Sequence, residues 1–235
     1  MRYEQQVGWN EVKTPNGFNS QFQKVGSVKN LFPSFLGTRV MMMPFLLDDL
    51  ECSIPAQLKE WLPVIKEMVN SIPSHVRWWE HNTAYLTIDE KFVTAGTTQR
   101  NPGKHVDGMY KGEIAGAWGG GGGSWGSTGN GMLVASNTDD LCSAWEGGFE
   151  GTPVGDGDCE HLSSQCTDER KVDMKQGDVF WMDGLAVHES HATTEDVDRQ
   201  FIRISLPSSS PWFVGYTENP TGVKPHGKIL NERRI

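Results

Sequence analysis

Residues 177–207 read GDVFWMDGLAVHESHATTEDVDRQFIRISLP, and the fold turns on how this stretch is read. DVFWMDG, LAVHES and RQFIRISLP are short and rich in aromatic and β-branched residues, with turn-forming Gly, Asp and Thr between them. Such runs predict strands, and several at close spacing predict an antiparallel sandwich or barrel. Upstream, TAYLTIDEKFVTAG alternates over residues 83–96, and KHVDGMY, GMLVASN and KVDM add further short runs. GTRVMMMPFLLDD predicts a strand at residues 37–49. In SIPAQLKEWLPVIKEMVNSI, the residues Leu58, Trp61, Leu62, Ile65, Met68 and Val69 recur at helical spacing. That predicts one helix, N-capped by Ser53 and kinked at Pro63. Residues 1–36 show no clear period.

The expectation is one mainly β (α+β) domain spanning 1–235. Its core covers about 80–207, with helical and strand support from about 37–79. WGGGGGSWG at 118–126 predicts a mobile loop, because a glycine run is costly to order. It lacks the Lys-Ser/Thr ending of a phosphate-binding loop.

Net charge is −9, with Lys and Arg scattered apart from the terminal NERRI. The broad basic footprint of a nucleic-acid binder is missing, so bulk nucleic acid is not an expected partner. The longest apolar run, Val40 to Leu47, is too short for a bilayer and contains Pro44. The first residues carry no apolar leader. No membrane contact and a cytoplasmic location are therefore expected. Cys52, Cys142, Cys159 and Cys166 include no CxxC pair and read as free thiols. A second reading groups Asp158, Glu160 and His161 as an accessory metal site; a solvated acidic loop is the simpler alternative.

The chemistry centres on His105-Val106-Asp107. On a strand, residues i and i+2 share a face, so imidazole and carboxylate aim at one point. Either a metal or a purely structural ion pair explains them. The later run supplies His188, then Arg199 and Arg203 on one face of a strand with Phe201 and Ser205. His191 rivals His188, Glu189 alternates to the opposite face, and Asp183 reads as a turn former. Two His and a carboxylate form a facial triad that leaves positions open on Fe(II). A 2-oxo acid can fill two of them, and a forked Arg suits its distal carboxylate.

The order His105-x-Asp107, then His188 preceded by GDVFWMDG, then an Arg eleven or fifteen residues on, resembles the Fe(II)/2-oxoglutarate-dependent oxygenases. The resemblance covers about residues 80–207. It implies a double-stranded β-helix (jelly-roll, cupin-like) with the helix near residues 55–70 as a buttress. It implies His105, Asp107 and His188 as metal ligands and Arg199 as the 2-oxoglutarate anchor. Arg203 becomes a second anion contact, although Arg203-x-Ser205 also resembles a cosubstrate motif, which would swap the two roles. The implied activity is dioxygen-dependent hydroxylation or desaturation of a C–H bond in a small-molecule or peptide substrate. Two rivals stand beside it: a cupin-like metal enzyme without 2-oxoglutarate, and a non-catalytic β-sandwich of carbohydrate-binding type. The latter would use exposed Trp, with Trp118 and Trp125 as candidates.

Overall fold

A computed structural model describes residues 17–76, 82–107, 109–110, 113–114, 131–155, 157–207, 212–226 and 229–231. The glycine run, Trp118, Trp125 and nearly all of NERRI lie outside these residues. The strands are β1 Gly17–Ser20, β2 Phe22–Ser27, β3 Arg39–Leu46, β4 Thr83–Val93, β5 Met109–Tyr110, β6 Glu113–Ile114 and β7 Met132–Ser136. They continue with β8 Cys142–Trp145, β9 Gly147–Glu150, β10 Lys171–Asp173, β11 Asp178–Met182, β12 Val187–Ser190, β13 Val197–Ser205, β14 Trp212–Phe213 and β15 Ile229–Leu230.

Among the described residues, the largest sheet runs β2-β11-β7-β13-β4-β3 and a smaller one runs β10-β8-β12. Both are antiparallel throughout. The strands lie in separate sheets, and the described residues close no barrel. The period-2 pattern decides which side chains meet what. Leu133, Ala135, Val179, Trp181, Ile202 and Ile204 face outward and pack under the helical segment through Trp61, Leu62, Ile65 and Met68. Their neighbours Met132, Val134, Phe180 and Met182 turn the other way and meet Ala144 of β8 and Ala186. Phe201 joins this second layer. The large sheet therefore separates a helix-covered core from an inter-sheet core.

The helical segment differs from the expectation. A 3-10 turn over Ala56–Trp61 leads into an α-helix over Leu62–Asn70, with Pro63 in its first turn. There Pro63 lacks only an N–H that would have had no partner, so it starts a helix instead of kinking one. Ser53 is not a cap. It ends a short helix, Leu50–Ser53, whose cap is Asp49, accepting from Cys52 N at 3.2 Å. The Ser53 hydroxyl instead pairs with Leu46. β1 and β2 fill a region that showed no period. Phe18 and Phe22 are their buried anchors, and the exposed Gln23 and Lys24 mask the alternation.

Candidate metal centre

His105 lies on no regular strand. It forms an isolated bridge to His188 of β12, with mutual backbone bonds of 2.9 Å and 3.0 Å. On its other side the segment is gripped by the loop at 157–160. Val106 N donates to Gly157 O at 2.8 Å, Cys159 N to Lys104 O at 2.8 Å, and Lys104 N to Glu160 Oε1 at 2.6 Å. Gly157 has φ +107, and a Cβ there would sit 2.1 Å from Val106 O. Only glycine fits that approach. Asp158 and Glu160, weighed above as accessory ligands, thus belong to this clamp. Among the described residues, His105, Asp107 and His188 are the one group of three or more metal-ligating side chains close enough to share an ion.

The donor atoms of His105, Asp107 and His188 lie within 4.8 Å of one another. His188 Nε2 is 3.9 Å from Asp107 Oδ2. Two ligands each about 2.1 Å from one ion are at most about 4.2 Å apart, so this pair already spans a single cation. Each imidazole is oriented from behind: His105 Nδ1 donates to Gly103 O at 2.8 Å and His188 Nδ1 to Ala186 O at 2.8 Å. A carbonyl only accepts, so Nδ1 carries the proton and each Nε2 lone pair is left for the site. Burial, then the neighbouring His105, pushes the His188 imidazole down to about 4, so it is neutral and ready to ligate at physiological pH. Burial by itself would raise the Asp107 carboxyl, but the surrounding positive groups, Arg203 among them, outweigh it and hold the carboxyl below its usual range.

His191 sits on the other side of β12. Its Nε2 is 2.5 Å from Ser143 Oγ, which donates to Asp173 Oδ1 at 2.5 Å. Glu189 joins that face, 3.3 Å from Lys104 Nζ and 3.7 Å from His191 Nδ1. Asp183 sits in the β11–β12 turn and accepts from Leu185 N at 3.0 Å.

The two arginines diverge. Arg203 is 3% exposed, and its Nη1 is 3.5 Å from Asp107 Oδ2. Arg199 is 1% exposed, lines an inter-sheet cavity with Ser136, Thr138, Cys142 and Phe201, and reaches Ser136 Oγ from Nε at 3.4 Å. Its Nη1 is buried with no hydrogen-bond partner among the described residues. The half-buried Cys142 thiol, which lines the same cavity, is pushed up to about 11 by desolvation. Sequence reasoning missed Arg100, whose guanidinium lies 5.2 Å over the Phe201 ring and 3.5 Å from Asp89. It also missed Met42 and Thr87, although Thr87 shares the TAYLTIDEK alternation that puts it opposite Arg203.

Fold and site together define a mainly β protein of antiparallel sheets with a His-Asp-His group able to hold a metal ion. Comparison with protein-family models, curated proteins and solved structures finds no match for the chain. Among the described residues, no helix is long and apolar enough to cross a membrane. The cysteines are free thiols.

Proposed function

We propose that the chain is a non-haem Fe(II)- and 2-oxoglutarate-dependent oxygenase that hydroxylates or desaturates a C–H bond of an organic substrate. The observation that carries this reading is the buried Arg199 guanidinium, which faces a cavity with an Nη1 that has no hydrogen-bond partner among the described residues, while Asp178, which also lines the cavity, is paired with Lys24. A buried cation without a counter-ion is costly, and the cost is recovered if a ligand brings the anion. The residues fit the metal as well: two Nε2 lone pairs and one carboxylate are the facial set associated with Fe(II) oxygen chemistry. Iron(II), when bound, supplies the activation of dioxygen that no side chain here provides.

Arg199 suits the distal carboxylate of the cosubstrate better than Arg203 does. Arg203 is drawn to Asp107, beside the metal ligands. Arg199 stands four residues, about 13 Å of strand, further along β13. A diacid bound to the metal through its 2-oxo end carries its other carboxylate away from the metal, toward such a position. Ser136 and Thr138 add hydroxyls at the same cavity.

The strand order supports a double-stranded β-helix. Along the chain, β4, β7, β11 and β13 of the large sheet are interleaved with the His105 segment, β8 and β10 in succession, and β12 of the other sheet, and the large-sheet order β11-β7-β13-β4 matches that fold. The carbohydrate-binding rival draws no support from the described tryptophans, since Trp61, Trp145, Trp181 and Trp212 are all buried.

The test is a 2-oxoglutarate titration of wild type, Arg199→Gln and Arg203→Gln, following succinate release. Losing one partner of a buried charge pair costs about 2–5 kcal/mol, so Arg199→Gln should raise the 2-oxoglutarate requirement by roughly 30-fold or more. If only Arg203→Gln raises it, the two roles are reversed. If wild type releases no succinate above background, a metal enzyme without 2-oxoglutarate replaces this reading.

A further inference from the structure

Three polar side chains converge on one sulfur. Met42 Sδ accepts from Arg203 Nη2 at 3.4 Å, from Thr87 Oγ1 at 3.4 Å and from Ser205 Oγ at 3.7 Å. Arg203, Thr87, Ser205 and Met42 are all buried. A thioether is a weak acceptor, poorly matched to the Arg203 guanidinium. Arg203 Nε, on the same edge of the guanidinium as Nη2, has no hydrogen-bond partner among the described residues. This Nε/Nη2 edge is the fork that an oxyanion fills with two parallel bonds. Nη1, on the other side, is the atom drawn toward Asp107. The fork thus opens beside the metal ligands, with its Nη2 turned onto the Met42 sulfur.

Met42 is held in an unusual backbone conformation. It sits at the register break of β3 between Val40 and Met43, with φ 50, a left-handed conformation unusual for a side chain of its size. Its backbone is pinned, with N donating to Thr87 Oγ1 at 3.2 Å and O accepting from Trp212 Nε1 at 2.8 Å. The backbone strain is therefore held by its neighbours, as at functional sites. The side chain is unbranched and turns about three bonds, so its sulfur adapts its position more readily than a branched residue would.

We propose that Arg203, Thr87 and Ser205 form the seat for an oxyanion group of the organic substrate, and that the Met42 thioether fills the seat until an acidic substrate displaces it. The substrate is then a small acid, carrying a carboxylate, sulfonate or phosphate a short distance from the C–H bond presented to the metal. This rests on the reading that Arg199, not Arg203, takes the cosubstrate.

The experiment uses metal-free full-length protein labelled with [methyl-13C]methionine, the Met42 resonance being assigned by its loss in Met42→Leu. Methanesulfonate and acetate are titrated against their neutral counterparts, dimethyl sulfone and acetamide. The Met42 methyl should shift saturably with the anions and not with the neutral probes. Thr87→Val should weaken that binding about ten-fold, the scale of one hydrogen bond to a charged group. Arg203→Gln should abolish it while the other methionine methyls report an intact fold, and Arg199→Gln should leave it unchanged. Equal response to the neutral probes, or a response that depends on Arg199 in place of Arg203, overturns the seat. The cosubstrate reading is scored separately by Fe(II) and 2-oxoglutarate binding. Cosubstrate binding without a Met42 response sinks the seat alone. A Met42 response without cosubstrate binding keeps the anion seat and sinks the oxygenase reading.

Discussion

The contrast between His188 and His191 shows how much one residue's place in a strand decides. Three positions apart, they leave β12 on opposite sides, one toward Asp107 and one toward Ser143. His188→Ala should lose bound metal and His191→Ala should retain it, as elemental analysis of the purified variants will show. The reverse result would move the ligand to the other face. Asp183 carries a pH signature. Desolvation in its turn pushes the carboxyl up to about 7, against an ordinary value of 3.8. Between those values the folded state binds more proton than the unfolded state, so this group's contribution to stability falls as pH rises from about 4 to about 7. Asp183→Asn removes the effect. Denaturant midpoints at pH 5 and pH 8 should therefore converge in the variant relative to wild type, and an unchanged pH dependence would contradict the assignment. The sequence brought His105 and Asp107 forward through their i, i+2 spacing, and His188 through its place on a strand-like run in the order the resemblance requires. It left Arg199 and Arg203 interchangeable, since both share one face of β13 and only the 3.5 Å approach to Asp107 separates them. Met42 was hidden because a buried methionine in an apolar strand gives no sign that its sulfur meets polar groups.

At the scale of elements, the loop at 157–160 replaces the missing second neighbour of the His105 segment. Gly157→Ala pushes a methyl into Val106 O. It should release the segment and lower metal affinity, while Gly148→Ala, with open space around its Cβ and no left-handed backbone to strain, serves as the control. Equal metal affinity in both variants would show that the loop does not set the site. The strands that were legible, β3, β4, β7 and β10 to β13, are those whose apolar residues alternate or run together between clear turns. β8 and β9 escaped notice because Gly147 and Gly148 break CSAWEGGFE into pieces too short to show a period. The His105 segment was expected on a strand, yet it is a bridge held by both neighbours, which no local pattern encodes. The helix misreading had the same origin: hydrophobic spacing over 56–70 fits a 3-10 turn followed by an α-helix as well as one helix.

The whole molecule separates stability from chemistry. The helix-covered layer holds Ile65, Met68, Ile202 and Ile204, whereas the inter-sheet layer, through Val134 and Phe201, borders the cavity at Arg199. Ile202→Ala should cost about 2–5 kcal/mol of stability, as for other large-to-small core changes, and leave metal stoichiometry unchanged in the folded fraction. Thermal unfolding together with metal analysis checks both halves. The central claim is that His105, Asp107, His188 and Arg199 form one site for Fe(II) and 2-oxoglutarate. The most direct measurement is visible absorption on adding Fe(II) and 2-oxoglutarate without oxygen. The account predicts a purple-pink absorbance that saturates near one equivalent of iron, is lost in His188→Ala, and in Arg199→Gln needs roughly 30-fold or more 2-oxoglutarate. Iron that binds at the triad without producing that absorbance at saturating 2-oxoglutarate would contradict it.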